Sequence, residues 1–418
     1  MPDGVLHGRR IVMVTHDYAP DLMGIAPYST ETAEWLARAG AQVDVLTMPP
    51  HYPDWKVPSD SRRGYATEER NGVTVRRLPT YVPSDPSLLR RLAFEGSWTL
   101  AAMPLRWRSV VRDADVVIGV CPGIFAAGFA RSISGRRRPL IQIVQDLVGQ
   151  AAKQSGMAGA SRAAGALARM EARSLRAAHA VTVPGHGFVE PLRSLGVDAS
   201  RIHVVANWSR VPMTDETEVA RQDEKFVVMH AGNMGLKQGL DELAPIVGDL
   251  ETSMPAVQFE FVGGGSQAGA LGSAIADRRN ARLRSHVPED ELATTLRSAD
   301  ALLVHERGTV KDMSLPSKLT TYFAMGRPVI AVTRADGTTA AEVRRADAGL
   351  VVEPGDSAGF MAAVERLRSD ADLVARLARN GREYSRQHLD REVSLGAITQ
   401  LVVDALDASP HKDDVATR

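Results

Sequence analysis

A chain of 418 residues is longer than the roughly 100 to 200 of a single domain, so two domains are expected. Its 50 basic and 50 acidic residues cancel, which argues against nucleic acid as a partner and means that any anion must be held locally. The single cysteine cannot form an intramolecular disulfide, and no apolar run approaches the roughly 18 residues of a membrane span, so the expected setting is the cytoplasm.

The N-terminal stretch MPDGVLHGRRIVMV has basic residues before its apolar run, but the run ends at His16 and Asp17 and reads as a strand, not a signal peptide. Further short runs rich in Val and Ile follow at 43–47, 73–78, 116–120, 140–144, 180–183 and 202–205, with segments of helical period between them. Cys121 follows one such run and is expected to be a buried thiol. A second series lies at 226–231, 259–263, 301–304, 328–332 and 349–352. Strands alternating with helices predict parallel α/β units, here two doubly wound domains. The polar, acid-rich segment 207–226 is the expected linker. The expected division is therefore 1–208, 209–388 and a terminal segment 389–418, comprising a last helix and a disordered tail.

Parallel sheets bind ligands beyond the carboxyl ends of their strands, so the loops there are where chemistry is expected. The loop 16–29 is longer than the usual two to six residues and contains Gly24, which allows close approach of a ligand. His16 and Tyr18 in this loop are candidate acceptor contacts. Asp146 follows the run 140–144, where a carboxylate can orient or deprotonate an acceptor hydroxyl or, equally, cap a helix. Segment 87–111 mixes Leu, Phe, two Trp and several Arg. It reads either as a face for an anionic membrane or as a helix pair with snorkelling arginines, broken at Pro104.

In the second series, HAGNMGLKQGLDEL (230–243) combines Gly232, Gly235 and Gly239 with Asn233 and Lys237. A glycine turn leading into a helix and carrying a lysine is a phosphate cradle, although the P-loop spacing is absent. The triple glycine at 263–265 lacks the acidic partner of a dinucleotide fingerprint. His305 ends a strand, and the polar loop after it carries Glu306 and Asp312. Pro316 and Ser317 then open a helix with Lys318 in its first turn, where the helix dipole disfavours a cation unless an anion is bound. A diphosphate between Lys237 and Lys318 would supply that anion. No HxxxH or CxxC spacing occurs and no DxD arrangement stands out, so no metal site is expected, and no nucleophile elbow is expected either.

Taken in order, GNMGLKQGLDEL, FVGGG, PSKLTTYFAMGRPVIAV and AGLVVEPGD resemble the donor half of a retaining glycosyltransferase of family 4. The stretch YAPDLMGIAPYSTETAEWLARAGAQVDVLTMPPHYPDW, with VQDL and ANW, is similar to the branch of colanic-acid and N-acetyl-L-fucosamine transferases. The resemblance spans roughly residues 9 to 405. It implies the GT-B fold, two Rossmann-like domains facing a cleft, and transfer of a sugar from a nucleotide diphosphate sugar, with UDP favoured, to an acceptor hydroxyl. Retention of configuration, no cofactor and no obligatory metal are part of the same implication.

Carried over residue by residue, the resemblance makes Lys237 a diphosphate ligand, joined by Lys318 and Asp146 as candidate catalytic residues. Gly24, Asn233, Gly235, His305, Glu306, Asp312, Pro316, Ser317 and Thr321 are the candidate donor contacts. Asn233 stands where many relatives have arginine, and Met313 and Thr321 stand where the family carries two glutamates. Asp312 or Glu306 could take over the lost carboxylate role. The acceptor implied is a glycan, polyprenyl-linked or otherwise, or a small molecule, with peripheral membrane association on the cytoplasmic side for a lipid-linked one. A sugar-nucleotide epimerase and a non-catalytic partner subunit of the same fold stay open as alternatives. The helix near 391–406 is expected to cross back to the first domain, as in relatives.

Overall fold

The computed structural model describes residues 4–21, 24–51, 55–59, 64–85, 88–121, 123–135, 138–147, 162–209, 211, 225–309 and 317–408. Residues up to Val205 together with those from Leu395 onward form one compact unit, and Ala206–Ser394 form another. Most of the expected linker lies outside the described residues.

The first unit is built on β1 (Arg10–Val14), β2 (Gln42–Thr47), β3 (Ala66–Arg70), β4 (Val73–Arg77), β5 (Val116–Cys121), β6 (Leu140–Val144), β7 (Ala180–Val183) and β8 (Ile202–Val204). Their spatial order is β3-β4-β2-β1-β5-β6-β7-β8. Every pairing is parallel except the β3–β4 hairpin. Strands β5 and β6 are buried along their whole length, which is why they read as unbroken apolar runs. Strand β3, ATEER, is a polar edge strand with no such signal. It turns into β4 through Asn71 and Gly72, at φ +48° and +82°, a two-residue hairpin turn that favours this dipeptide.

The helix Ala26–Arg38 packs Ala33 and Leu36 into the same core cluster as Ile398 and Val402 of the last helix, Arg391–Asp407. The indole N–H of Trp35 donates to Thr399 Oγ1 at 3.1 Å and fixes the register of that contact. Cys121 is a free, buried thiol whose pKa burial pushes up, consistent with a structural role. Helix Leu88–Ala102 divides the aromatic residues of its segment. Phe94 and Trp98 are buried, whereas Leu100 is 75% exposed and Trp107, in the following 3-10 turn that contains Pro104, is 73% exposed.

The second unit holds β9 (Phe226–Asn233), β10 (Val257–Gly264), β11 (Ala281–Arg284), β12 (Ala301–His305), β13 (Val329–Val332) and β14 (Gly349–Val352), all parallel. Their order, β11-β10-β9-β12-β13-β14, reverses direction between β9 and β12. Beyond the carboxyl ends of those two strands the connecting loops diverge and leave a crevice. Alternate residues serve opposite faces. Leu303, Ile330 and Val332 join Phe259 and Phe261 under helices Ala244–Ser253 and Ser357–Ser369. Leu302, Val304, Val329 and Ala331 pack with Leu319, Phe323 and Val343, which belong to helices Ser317–Ala324 and Thr338–Ala346.

Candidate active site

Strands β9 and β10 run in register through the pair Gly232 and Gly263 to Asn233 and Gly264. At Gly263, φ is +130° and a Cβ would stand 2.2 Å from the Gly232 carbonyl oxygen, so only glycine fits. Beyond it, Met234 N–H donates to Gly264 O at 2.8 Å, and Gln267 N–H donates to Met234 O at 2.9 Å. The triple glycine therefore has a packing cause, because it lets two backbone turns interlock at the strand ends. Gly235 N–H donates to Gln238 Oε1 at 2.9 Å and shapes the turn around Lys237, whose side chain is exposed.

On the β12 side, Arg307 pins this loop down. Its N–H donates to Lys237 O at 3.0 Å, and its guanidinium reaches both carboxylate oxygens of Asp241 at 2.7 and 2.9 Å. Its stem lies over Gly239, at φ +54°, where a Cβ would come 2.3 Å from Arg307 Cγ. Buried His305 places Nδ1 2.5 Å from Gln238 O. A carbonyl only accepts, so Nδ1 carries the proton. Burial pulls the His305 pKa down, which keeps the ring neutral.

Helix Ser317–Ala324 is seated by Tyr322, whose hydroxyl accepts from Ala231 N–H at 2.9 Å and donates to Ala231 O at 3.2 Å. That clasp brings Lys318 over the end of β9. Its ammonium donates to Asn233 O at 3.1 Å, and its stem crosses Gly232, where a Cβ would lie 3.0 Å from Lys318 Cε. Burial lowers the Lys318 pKa to about 8, with Glu306 acting in the opposite direction. The Glu306 carboxylate is held by Thr333 Oγ1 at 2.5 Å and Thr339 Oγ1 at 2.9 Å. Ser317 is exposed at the helix start and Thr321 is half-buried one turn later. A lysine, the first-turn amides of a helix and glycine turns are the kind of donor set that suits an anion.

In the first unit, His16 follows β1, is buried, and packs edge-on against Trp98 at 5.2 Å. Burial, with a contribution from His51, lowers its pKa to about 3. Tyr18 is 1% exposed and sits in the sheet's core cluster. Gly24 has φ +65° just before helix Ala26–Arg38. Asp146 is exposed two residues after β6, with Oδ1 accepting from Leu147 N–H at 2.8 Å. Asp312, Met313 and Pro316 lie outside the described residues.

The fold thus brings together Asn233, Lys318 and Gly232, and separately His305 with the backbone of the lysine loop. Tyr322, Arg307, Asp241, Thr333 and Thr339 hold the site in place, and sequence reasoning gave them no such role. An arginine in a Gly-containing loop was the one available signal.

Residues 23–208 match the family described as Glycosyl transferase 4-like domain, and residues 225–370 match Glycosyl transferases group 1. Over 410 residues the chain is 30% identical to the putative colanic acid biosynthesis glycosyl transferase WcaI of Escherichia coli (strain K12), covering 92% of this chain and 97% of that one. The chain belongs to the group 1 glycosyltransferases.

Solved structures agree on the fold of this glycosyltransferase. Sucrose-phosphate synthase from Thermosynechococcus elongatus superposes with a TM-score of 0.69 at 18% identity, covering 96% of this chain and 100% of that one. HepE of Anabaena, solved with UDP, gives 0.63 at 15% identity, covering 94% and 100%. Both support two parallel α/β domains in the GT-B fold. No described helix of the glycosyltransferase is long and apolar enough to cross a membrane.

Proposed function

We propose that this glycosyltransferase moves a hexosyl group from a UDP-sugar to a hydroxyl of a glycan acceptor, with retention of configuration and without a metal. Residues 209–388 take the donor and residues 1–208 the acceptor. The observation that carries the reading is Lys318, a partly desolvated ammonium bonded to Asn233 O at the end of β9. As the glycosidic bond breaks, charge develops on the departing β-phosphate. Lys318, Lys237 and the glycine and first-turn amides stabilise it from fixed positions. Glu306, held by two threonine hydroxyls, supports a role as the carboxylate toward the donor sugar in place of the family glutamates. Asp146 is the proposed acceptor-side residue. The choice of UDP draws on HepE, solved with that nucleotide.

The exposed Leu100, Met103 and Trp107, flanked by Arg90, Arg106 and Arg108, support a peripheral seat on an anionic cytoplasmic membrane face carrying a lipid-linked acceptor.

The test is calorimetric titration of UDP and of uridine with EDTA present. Lys318→Ala is expected to weaken UDP by about tenfold or more and to leave uridine within about twofold. Equal loss for both ligands, or binding only with added Mg²⁺ or Mn²⁺, would contradict the reading. NMR of the product glycoside reports the anomeric outcome, and an epimerised donor without a glycoside would point to the epimerase instead.

A further inference from the structure

The parallel neighbours β2 and β4 lead, at their carboxyl ends, into a cavity of about 480 Å³. Pro49, Trp55 and Lys56 line it from the segment after β2, and Thr80, Tyr81 and Ser84 from the segment after β4. The volume falls in the range of small-molecule sites, and the place is where parallel sheets take ligands. Every lining residue belongs to the first unit.

Hydrogen bonds fix both walls. Buried Arg77, which ends β4, donates to Met48 O at 3.1 Å and to Ala19 O at 2.5 Å, and so joins the segments after β4, β2 and β1. Lys56 N–H donates to His51 O at 3.2 Å. On the other wall Tyr81 N–H donates to Ser97 Oγ at 2.9 Å, which ties its backbone to helix Leu88–Ala102. Thr80 Oγ1 donates to Leu78 O at 2.9 Å, and its oxygen keeps lone pairs with which to accept from a ligand hydroxyl.

Trp55 is the lining residue that local structure does not explain. Among the described residues, Asn71, Asp347 and Trp55 carry a side chain on a backbone of positive φ. Asn71, at +48°, belongs to the hairpin turn, and Asp347, at +41°, caps helix Thr338–Ala346. Trp55, at +50°, has neither reason, and a bulky side chain there is an outlier of the kind that collects at ligand clamps. Its ring is nonetheless held. His51 packs against it at 5.7 Å and Phe94 at 5.3 Å, both edge-on, and the Arg91 guanidinium stands 5.5 Å from the ring centroid. Tyr81, on the other wall, is 49% exposed. Two aromatic rings, the hydroxyls of Thr80, Tyr81 and Ser84 and the Lys56 ammonium form a lining that suits a sugar. The rings pack against the C–H face of a pyranose and the polar groups meet its hydroxyls. Among the described residues the lining holds no carboxylate and no histidine, so the cavity suits recognition and not proton transfer. A lipid chain would leave its polar groups unsatisfied.

We propose that this cavity is a subsite for a pyranose unit of the acceptor glycan, with Trp55 as the ring on which the sugar stacks. The proposal rests on the glycosyl-transfer reading above, and it makes the sugar, not a lipid chain, the part of the acceptor that is recognised here.

The full chain, labelled with ¹⁵N at its indoles, is titrated into the millimolar range with the methyl glycosides of glucose, galactose, N-acetylglucosamine and glucuronic acid, and with octanol as the apolar control. The Trp55 indole N–H signal, assigned by its loss in Trp55→Phe, should shift saturably with at least one glycoside and not with octanol. No saturable shift with any glycoside overturns the proposal. So does a shift that octanol reproduces, which would make the cavity a lipid-chain site. UDP release from UDP-glucose, UDP-galactose and UDP-N-acetylglucosamine is then followed with octyl glycosides of the same sugars as acceptors. Trp55→Leu is expected to raise the acceptor KM by about tenfold or more with kcat changed far less, and Tyr81→Leu to act in the same direction by about threefold. Calorimetric titration of UDP checks that each variant is folded; should Trp55→Leu fail that check, Tyr81→Leu decides. An acceptor KM unchanged in the folded variants overturns the acceptor role. A wild type silent with every donor is a failure of the transfer reading instead, and the indole titration still decides the sugar site.

Discussion

At the carboxyl ends of the second sheet the groups that suit an anion are donors: the Lys318 ammonium, the first-turn amides of its helix and the backbone of the glycine turns. At the same ends of the first sheet they are acceptors and rings, with Asp17, Asp21, His16 and His51 set against Phe94 and Trp98. The topology is shared, since each sheet reverses strand order beside its first strand. The difference in ligand chemistry therefore lies in a handful of loop residues, and the scaffold leaves it open. A second likeness runs beneath it. Each unit buries a neutral histidine on or just after its first strand, His16 in one and His230 in the other.

Acid should break that likeness most strongly. Burial holds both His16 and His230 at about 3, well below the 6.5 of an unfolded chain. Between those values the unfolded state binds more protons, so stability is full above about 6.5 and is lost as pH falls toward 3. From pH 7 to pH 5 each ring should cost about 2 kcal/mol, or about 4 kcal/mol together. His305 and His179, also lowered by burial, act in the same direction. Asp17 and Asp44, raised by burial, act in the opposite one. Urea unfolding at the two pH values checks this, and His230→Asn should remove about half of the loss.

Gly263→Ala should separate the units at neutral pH. The new Cβ meets Gly232 O at 2.2 Å with φ at +130°, so the strand ends must part. The expected cost is about 3 kcal/mol or more, with UDP binding lost as the cradle opens. Gly96→Ala is the contrast in the first unit. It lies inside helix Leu88–Ala102 with nothing within 4 Å of the new Cβ, and should stabilise by up to about 1 kcal/mol. Similar melting temperatures for the two variants would refute the packing account of the triple glycine.

What could be read in advance follows physical lines. Strands such as β5 and β6 were legible because parallel strands covered on both faces must be apolar throughout. The edge strands β3 and β11 carry ATEER and ARLR and show no such run; Asn71-Gly72 was the one local clue to the β3 hairpin. In the site, Lys318 was legible because a lysine in a first helical turn opposes the dipole. The clasp of the Tyr322 hydroxyl on Ala231 joins residues 91 apart. Arg307 meets Asp241 across 66 residues, and His51 meets Asp21 across 30. Such pairs are created by parallel strand pairing, and no local pattern announces them.

The smallest effect sharpens the comparison best, because it should appear at one sheet only. Lys318 is held at about 8, so at neutral pH it is mostly charged and an arriving diphosphate stabilises that charge further. As pH rises through 8 the free enzyme loses the proton, and binding must then restore it or forgo the ion pair. Affinity for UDP should therefore fall between pH 7 and pH 8.5, by up to about fourfold, since one proton is taken up per site as the pH passes the pKa. Phosphate monoesters have finished titrating near 6 and the uracil N3–H ionises above this range, so the ligand does not mimic the trend. Lys318→Arg should bind UDP with little pH dependence over the same range, because guanidinium stays charged, and uridine should show none with either protein. Asp17→Asn should leave the profile unchanged, because Asp17 belongs to the other sheet's chemistry. A profile that persists in Lys318→Arg would assign the titration to another group and remove Lys318 from the diphosphate site.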